Sequence, residues 1–235
     1  MHAGATVNIE TRAGASWLAT AGPVERLQLL DALVSRFNHD FRTPLNTIVG
    51  WGHLLQQGPV DPARSRHVAD VIARNAHEQT LMLERFVEDA RVILDRLPLE
   101  PATVHIDEMI DQVMARSSDG AKSRASLRVR IDSGGAAAVD GDGRVLQRLV
   151  ERLVNVIARR ALEGAALDLS VTREDRWICL SLTTPAHDAG WTDVDLLELR
   201  IGTLMAAVFR GTLELPAAAG LATLKLQLPE AKRAN

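Results

Sequence analysis

The sequence predicts an α+β chain whose N-terminal helical hairpin pairs with a second copy into a dimeric four-helix bundle. Three observations carry this expectation. Apolar residues recur at helical spacing over two long stretches within residues 23–97. Gly58, Pro59 and Pro62 separate the two stretches. From residue 103 the pattern changes to short strands alternating with helices. The boundaries that follow are 1–22 as a flexible lead, 23–97 as the hairpin and 103–230 as a second domain.

The lead is rich in Ala, Gly and Thr, and Gly22-Pro23 is a helix-start signal. From Val24 the apolar row is Leu27, Leu30, Leu33, Val34, Phe37, Phe41, Leu45, Ile48, Val49, Leu54 and Leu55. It runs to about Gln57, a helix of roughly 50 Å at about 1.5 Å per residue. Asp61 is the expected N-cap of the second helix, with Pro62 at its first position. That helix carries Val68, Val71, Ile72, Leu81, Met82, Phe86, Val87, Val92 and Ile93 and stops before Pro98. A lone hairpin cannot bury so wide an apolar face, so a homodimer is expected.

In the second domain, Thr103–Ile106 reads as a strand, with Asp107 capping a helix to about Ala115. Leu127–Ile131 alternates like a half-buried strand. A helix over 142–162, strands at Leu167–Thr172 and Trp177–Leu182, a helix over Asp193–Phe209, and strands at Thr212–Leu215 and Leu221–Leu228 complete the order.

Composition narrows the class. At 235 residues the chain is long enough for one or two domains with cores. Aromatics are 3% and tyrosine is absent, so aliphatic residues must build those cores. A net charge of −3 supplies no pull toward nucleic acid or an anionic membrane. The single cysteine, Cys179, has no internal disulfide partner and reads as a small core residue. No stretch reaches the ~20 apolar residues of a membrane span, and the start lacks signal-peptide order. A cytoplasmic protein is expected. About two dozen residues precede the first helix, too few for a sensing domain, so the chain is either sensor-less or a fragment.

The chemistry concentrates in Phe37-Asn38-His39-Asp40-Phe41-Arg42-Thr43-Pro44-Leu45-Asn46. Imidazole is a nucleophile at neutral pH and can carry a phosphoryl group on one ring nitrogen. On a helix, Arg42 and Thr43 share the face of His39 at i+3 and i+4. Asp40 can accept a proton from the imidazole or polarise it. Pro44 removes the amide partner of the Asp40 carbonyl, so a bend beside the site is expected. His53, His67 and His77 have no metal-ligand spacing to one another or to a cysteine and read as surface or partly packed side chains.

His-Asp-Phe-Arg-Thr-Pro-Leu-Asn resembles the phospho-acceptor box of sensor histidine kinases. Ile48–Leu55 and the second helix continue the likeness, which covers about residues 25–230. It implies that His39 is the phospho-acceptor and that the hairpin is the dimerisation domain. It also implies that the second domain is the α/β sandwich that binds ATP in that family. In the family an asparagine box holds magnesium, and its place matches Glu151 and Asn155, at i and i+4 on one helix face. Such a pair occurs on any helix.

The next family element is an Asp-x-Gly-x-Gly loop. Here the chain has Thr184 at the aspartate and Ala186 at the glycine, with Asp188-Ala189-Gly190 as a displaced remnant on the alternative reading. The last is a Gly-x-Gly-Leu run whose amides receive phosphates, and its place holds Leu196-Leu197-Glu198-Leu199.

The resulting expectation is a histidine phosphotransferase: His39 exchanges a phosphoryl group with the aspartates of response-regulator receiver domains, without ATP. Magnesium arrives with the receiver. Asp40 orients or deprotonates the imidazole, and Thr43 positions a water. Arg42 either stabilises the transferring group or is a structural ion-pair partner. The alternatives are an ATP-dependent kinase with a divergent pocket, in which Asn155 would bind the metal, and a non-catalytic scaffold that binds a kinase or regulator.

Overall fold

A computed structural model of the chain describes residues 21–58, 61–119, 126–132, 137–186, 190–215 and 220–231. Backbone contacts divide these into two units, Ala21–Pro98 and the residues from Leu99 on. Most of the expected lead, and Pro59 and Val60 of the expected turn, lie outside the described residues.

The first unit is a hairpin of two long helices, α1 (Pro23–Gln56) and α2 (Pro62–Ile93). Pro23 sits at the start of α1, where its missing amide costs nothing. Asp61 caps α2, its carboxylate accepting from the amides of Ala63 and Arg64 at 3.0 Å each. The second helix ends earlier than Pro98 because Asp95 takes a left-handed conformation at φ 56°.

Between the helices, Leu29 and Leu33 of α1 and Val68, Val92 and Ile93 of α2 are buried. Three of the four phenylalanines stack here: Phe37 lies 5.0 Å from Phe41 and 4.4 Å from Phe86 across the hairpin. The Arg26 guanidinium donates to the Ile93 carbonyl and pins the open end. Pro44 is buried inside α1, which runs on through it. A second apolar row stays in solvent: Val24, Leu27, Val34, Leu45, Val49 and Leu55 on α1, and Leu81, Leu83 and Val87 on α2.

The second unit is a two-layer α/β sandwich. Its elements are β1 (Ala102–His105), α3 (Ile106–Asp119), β2 (Ser126–Asp132), β3 (Ala138–Gly141), α4 (Gly143–Arg160), β4 (Ala166–Glu174), β5 (Trp177–Pro185), α5 (Asp193–Val208), β6 (Thr212–Glu214) and β7 (Leu221–Pro229). The main sheet has the order β2-β4-β5-β7-β6, with β2 and β4 parallel and the other pairs antiparallel. A separate ribbon pairs β1 with β3. Alternation sends Leu167, Leu169 and Val171 of β4, Ile178, Leu180 and Leu182 of β5, and Leu224, Leu226 and Leu228 of β7 inward. They meet the apolar face of α4, on which Leu146, Leu149, Val150, Leu153, Val156 and Ile157 are buried.

Periodicity assigns no element to β3, whose four residues carry too little pattern to read. Helix α3 begins at Ile106, whose amide bonds the Ala137 carbonyl at 2.9 Å, so Asp107 lies in the first turn and is not the cap. Cys179 is fully buried in β5, and burial pushes its thiol up. At Gly211 a side chain would meet the Gln227 carbonyl at 2.4 Å, so glycine is required where α5 turns into β6.

Asp142 is the cap of α4 and a joint of this unit. Its buried carboxylate accepts from the amides of Arg144 at 2.9 Å and Glu100 at 2.9 Å, and from the Arg144 guanidinium at 3.2 Å. Burial alone raises its pKa, but these donors outweigh burial and hold the carboxyl below its ordinary value. A depressed folded-state pKa contributes stability above the unfolded value, and that stability is lost as pH falls through the folded one. Asp142→Ala is therefore expected to cost about 2 kcal/mol at neutral pH. It should also flatten the fall in stability below about pH 4. Urea unfolding at neutral and acid pH checks both.

Candidate active site

Helix α1 carries His39 into solvent, with 87% of its side chain exposed. Its Nδ1 lies 3.1 Å from Asp40 Oδ1. The other carboxylate oxygen, Oδ2, accepts from Arg36 Nε at 3.3 Å, an i,i+4 pair one turn back. A carboxylate only accepts, so a neutral ring donating in this contact carries its proton on Nδ1 and its lone pair on Nε2. An exposed ring nitrogen of this kind can attack an electrophile delivered from solution.

Arg42 and Thr43 are exposed on the same helix, at i+3 and i+4 from His39. The Thr43 carbonyl accepts from the Thr47 hydroxyl at 3.1 Å, and Thr43 itself is exposed. Beneath the site, Gln79 of α2 donates to the Phe41 carbonyl at 3.4 Å and ties the helices together. About two turns beyond His39, Asn46, Thr47, Gly50, Trp51, Leu54 and Arg64 line a shallow groove. Sequence reasoning missed Arg36 and Gln79. The first was detectable from its i,i+4 spacing to Asp40, whereas the second depends on how two helices face each other.

Glu151 accepts from Gln147 at 3.0 Å, and Asn155 is exposed on the same helix. Thr184 is fully buried, and its hydroxyl donates to the Ala166 carbonyl at 2.9 Å. Strand β5 then closes on the end of α4: Leu162 donates to the Pro185 carbonyl at 3.0 Å, and Ala186 bridges Ala161. Asp188 and Ala189 of the alternative reading lie outside the described residues.

Helix α5 opens at Thr192, earlier than Leu196–Leu199, and its N-terminus is filled by a capping box. Asp195 accepts from the Thr192 amide at 3.3 Å, and Thr192 Oγ1 accepts from the Asp195 amide at 3.2 Å. Asp193 and Asp195 bring negative charge to the end that would attract phosphate. Glu198 does not project toward a ligand, because its carboxylate pairs with Arg152 of α4. Arg159 and Asp195 pair at 2.9 Å. These four side chains are engaged within the fold. Among the described residues, no three His, Cys, Asp or Glu side chains gather as metal ligands. Among them too, no helix is long and apolar enough to cross a membrane.

A helical hairpin bearing an exposed histidine, followed by an α/β sandwich of this topology, is the fold of histidine kinases. Comparisons with known proteins agree. The chain is 23% identical over 155 residues to sensor protein DivL of Caulobacter vibrioides, covering 66% of this chain and 20% of DivL. It is 19% identical over 174 residues to sensor protein GacS of Pseudomonas syringae, covering 74% and 19%. It is 21% identical over 175 residues to the signal transduction histidine-protein kinase BarA of Escherichia coli, covering 68% and 19%. The chain thus spans about a fifth of the length of the curated relatives it matches.

Among solved structures, histidine kinase AdeS of Acinetobacter baumannii superposes with a TM-score of 0.62 at 15% identity, covering 83% of this chain and 98% of that one. Full-length ShkA in complex with AMPPNP gives 0.60 at 19% identity, covering 87% and 47%. ThkA in complex with the response regulator TrrA gives 0.56 at 15% identity, covering 88% and 64%. No protein-family model matches the chain. The chain is thus similar in sequence to sensor histidine kinases and shares the fold of solved histidine kinases.

Proposed function

We propose that this chain is a two-component signalling protein in which His39 exchanges a phosphoryl group with response-regulator receiver aspartates without using ATP. The observation that carries this reading is the contrast between an exposed imidazole beside Asp40 and a Thr184 and an α5 N-terminus engaged in internal hydrogen bonds. ThkA, a fold neighbour, is known in complex with a response regulator. A receiver is thus the natural partner for this hairpin.

In the transfer, His39 Nε2 attacks the phosphorus of an aspartyl phosphate. The carboxylate oxygen–phosphorus bond breaks, and the electron pair leaves on the receiver carboxylate. Positive charge develops on the ring, and Asp40 stabilises it at Nδ1 or accepts the proton. Magnesium carried by the receiver neutralises charge on the transferring group. Arg42 stabilises that group electrostatically, and Thr43 positions water for hydrolysis. A second copy of the chain covers Val24, Leu27, Val34, Leu45, Val49 and Leu55 in a four-helix bundle.

The second reading is an ATP-dependent kinase, which Glu151 and Asn155 favour. Calorimetric titration with ATP and magnesium separates the two. The expected result is no heat at millimolar nucleotide. Micromolar binding would overturn the ATP-free reading.

A further inference from the structure

We infer that Arg36 is a positioning residue that fixes the tautomer of His39 through Asp40. This rests on the reading of His39 as the phosphoryl acceptor. The contacts form a linear relay on the outer face of α1: Arg36 Nε to Asp40 Oδ2 at 3.3 Å, then Asp40 Oδ1 to His39 Nδ1 at 3.1 Å. Exposure falls along the relay, from 87% at the His39 side chain to 45% at Asp40 and 29% at Arg36. The anchor is therefore the best-shielded member and the reacting group the most open.

An exposed Asp beside a His has free rotation about its side chain, and the two carboxylate oxygens compete for the ring. Engaging one oxygen from the preceding turn leaves the other facing Nδ1. Nε2 then stays unprotonated and outward, the form that attacks phosphorus. A pair this exposed contributes little to stability, so its effect is on orientation.

The test uses the full chain and three forms: wild type, Arg36→Ala and Arg36→Lys. Nitrogen NMR of the His39 imidazole reads the tautomer directly. Phosphoramidate, a small phosphoryl donor, reads reactivity: Nε2 bonds phosphorus, the phosphorus–nitrogen bond of the donor breaks, and ammonia leaves. The expected result for Arg36→Ala is a spectrum shifted toward protonated Nε2 and a several-fold slower phosphorylation, with unchanged helical circular dichroism. Arg36→Lys should restore most of both.

A spectrum unchanged by Arg36→Ala overturns the inference. So does an unchanged rate in a protein whose wild type is phosphorylated at His39. A wild type that takes no phosphoryl group sinks the acceptor reading instead, and the spectrum still decides the role of Arg36.

Discussion

His39→Gln is expected to abolish phosphoryl exchange with a receiver, a loss on the order of 10⁴-fold or more, because the variant has no nucleophile. Glutamine is a good helix former and places a polar group of similar reach at an exposed position. The side chain is 87% exposed and packs against nothing in the hairpin core. Stability should therefore change by no more than about 0.5 kcal/mol. Receiver binding should survive, since the substitution changes one exposed side chain and leaves the rest of the helix face intact. This combination separates chemistry from scaffolding. If wild-type and variant proteins move phosphate equally, His39 is not the acceptor, and the scaffold reading gains.

Ile157→Ala is expected to destabilise the α/β unit by about 3 kcal/mol, the usual cost of a buried Ile truncated in a packed core. Ile157 is fully buried on α4, on the face turned to the sheet. Two turns of α4 contribute Leu146, Leu149, Val150 and Leu153 to the same layer, so the hole cannot close by moving one neighbour. Asn155→Ala, on the exposed side of the same helix, is the control, and its effect should stay within about 0.5 kcal/mol. Urea unfolding checks the pair: the midpoint should fall for Ile157→Ala with the slope unchanged. Equal midpoints would mean that the helix does not present this face to the sheet.

The hairpin was legible because its signals are local. Helical spacing defined α1 and α2, and Asp61-Pro62 marked the start of α2 within a residue. The strands β4 and β7 were legible because each largely alternates with one face buried, and β5 because it is a short apolar run, with Ile178, Cys179 and Leu180 all buried. β3 escaped because its partner β1 lies far off in sequence and only pairing makes it a strand. The early end of α2 depends on one left-handed residue, Asp95, that no period reveals.

At the site, the order of His39, Asp40, Arg42 and Thr43 on one helix could be read from spacing alone. The pairing of Arg152 with Glu198 joins positions 46 apart, and it depends on how α4 and α5 rotate against each other. The charge on Glu198 could thus be read from the sequence but its direction could not. The helix start at Asp193 was legible, but the Thr-x-x-Asp spacing of Thr192 and Asp195 was not read as its capping box.

The most direct test of ATP-free exchange at His39 is to offer the protein the same radiolabel from two donors in parallel. One is a panel of receiver domains charged with labelled acetyl phosphate, and the other is ATP labelled at the γ-phosphate, each with magnesium. Label moving from a receiver to His39 and none arriving from ATP is the expected result. Label arriving at His39 from ATP would contradict it, and would mean that the second domain still feeds the hairpin as a kinase.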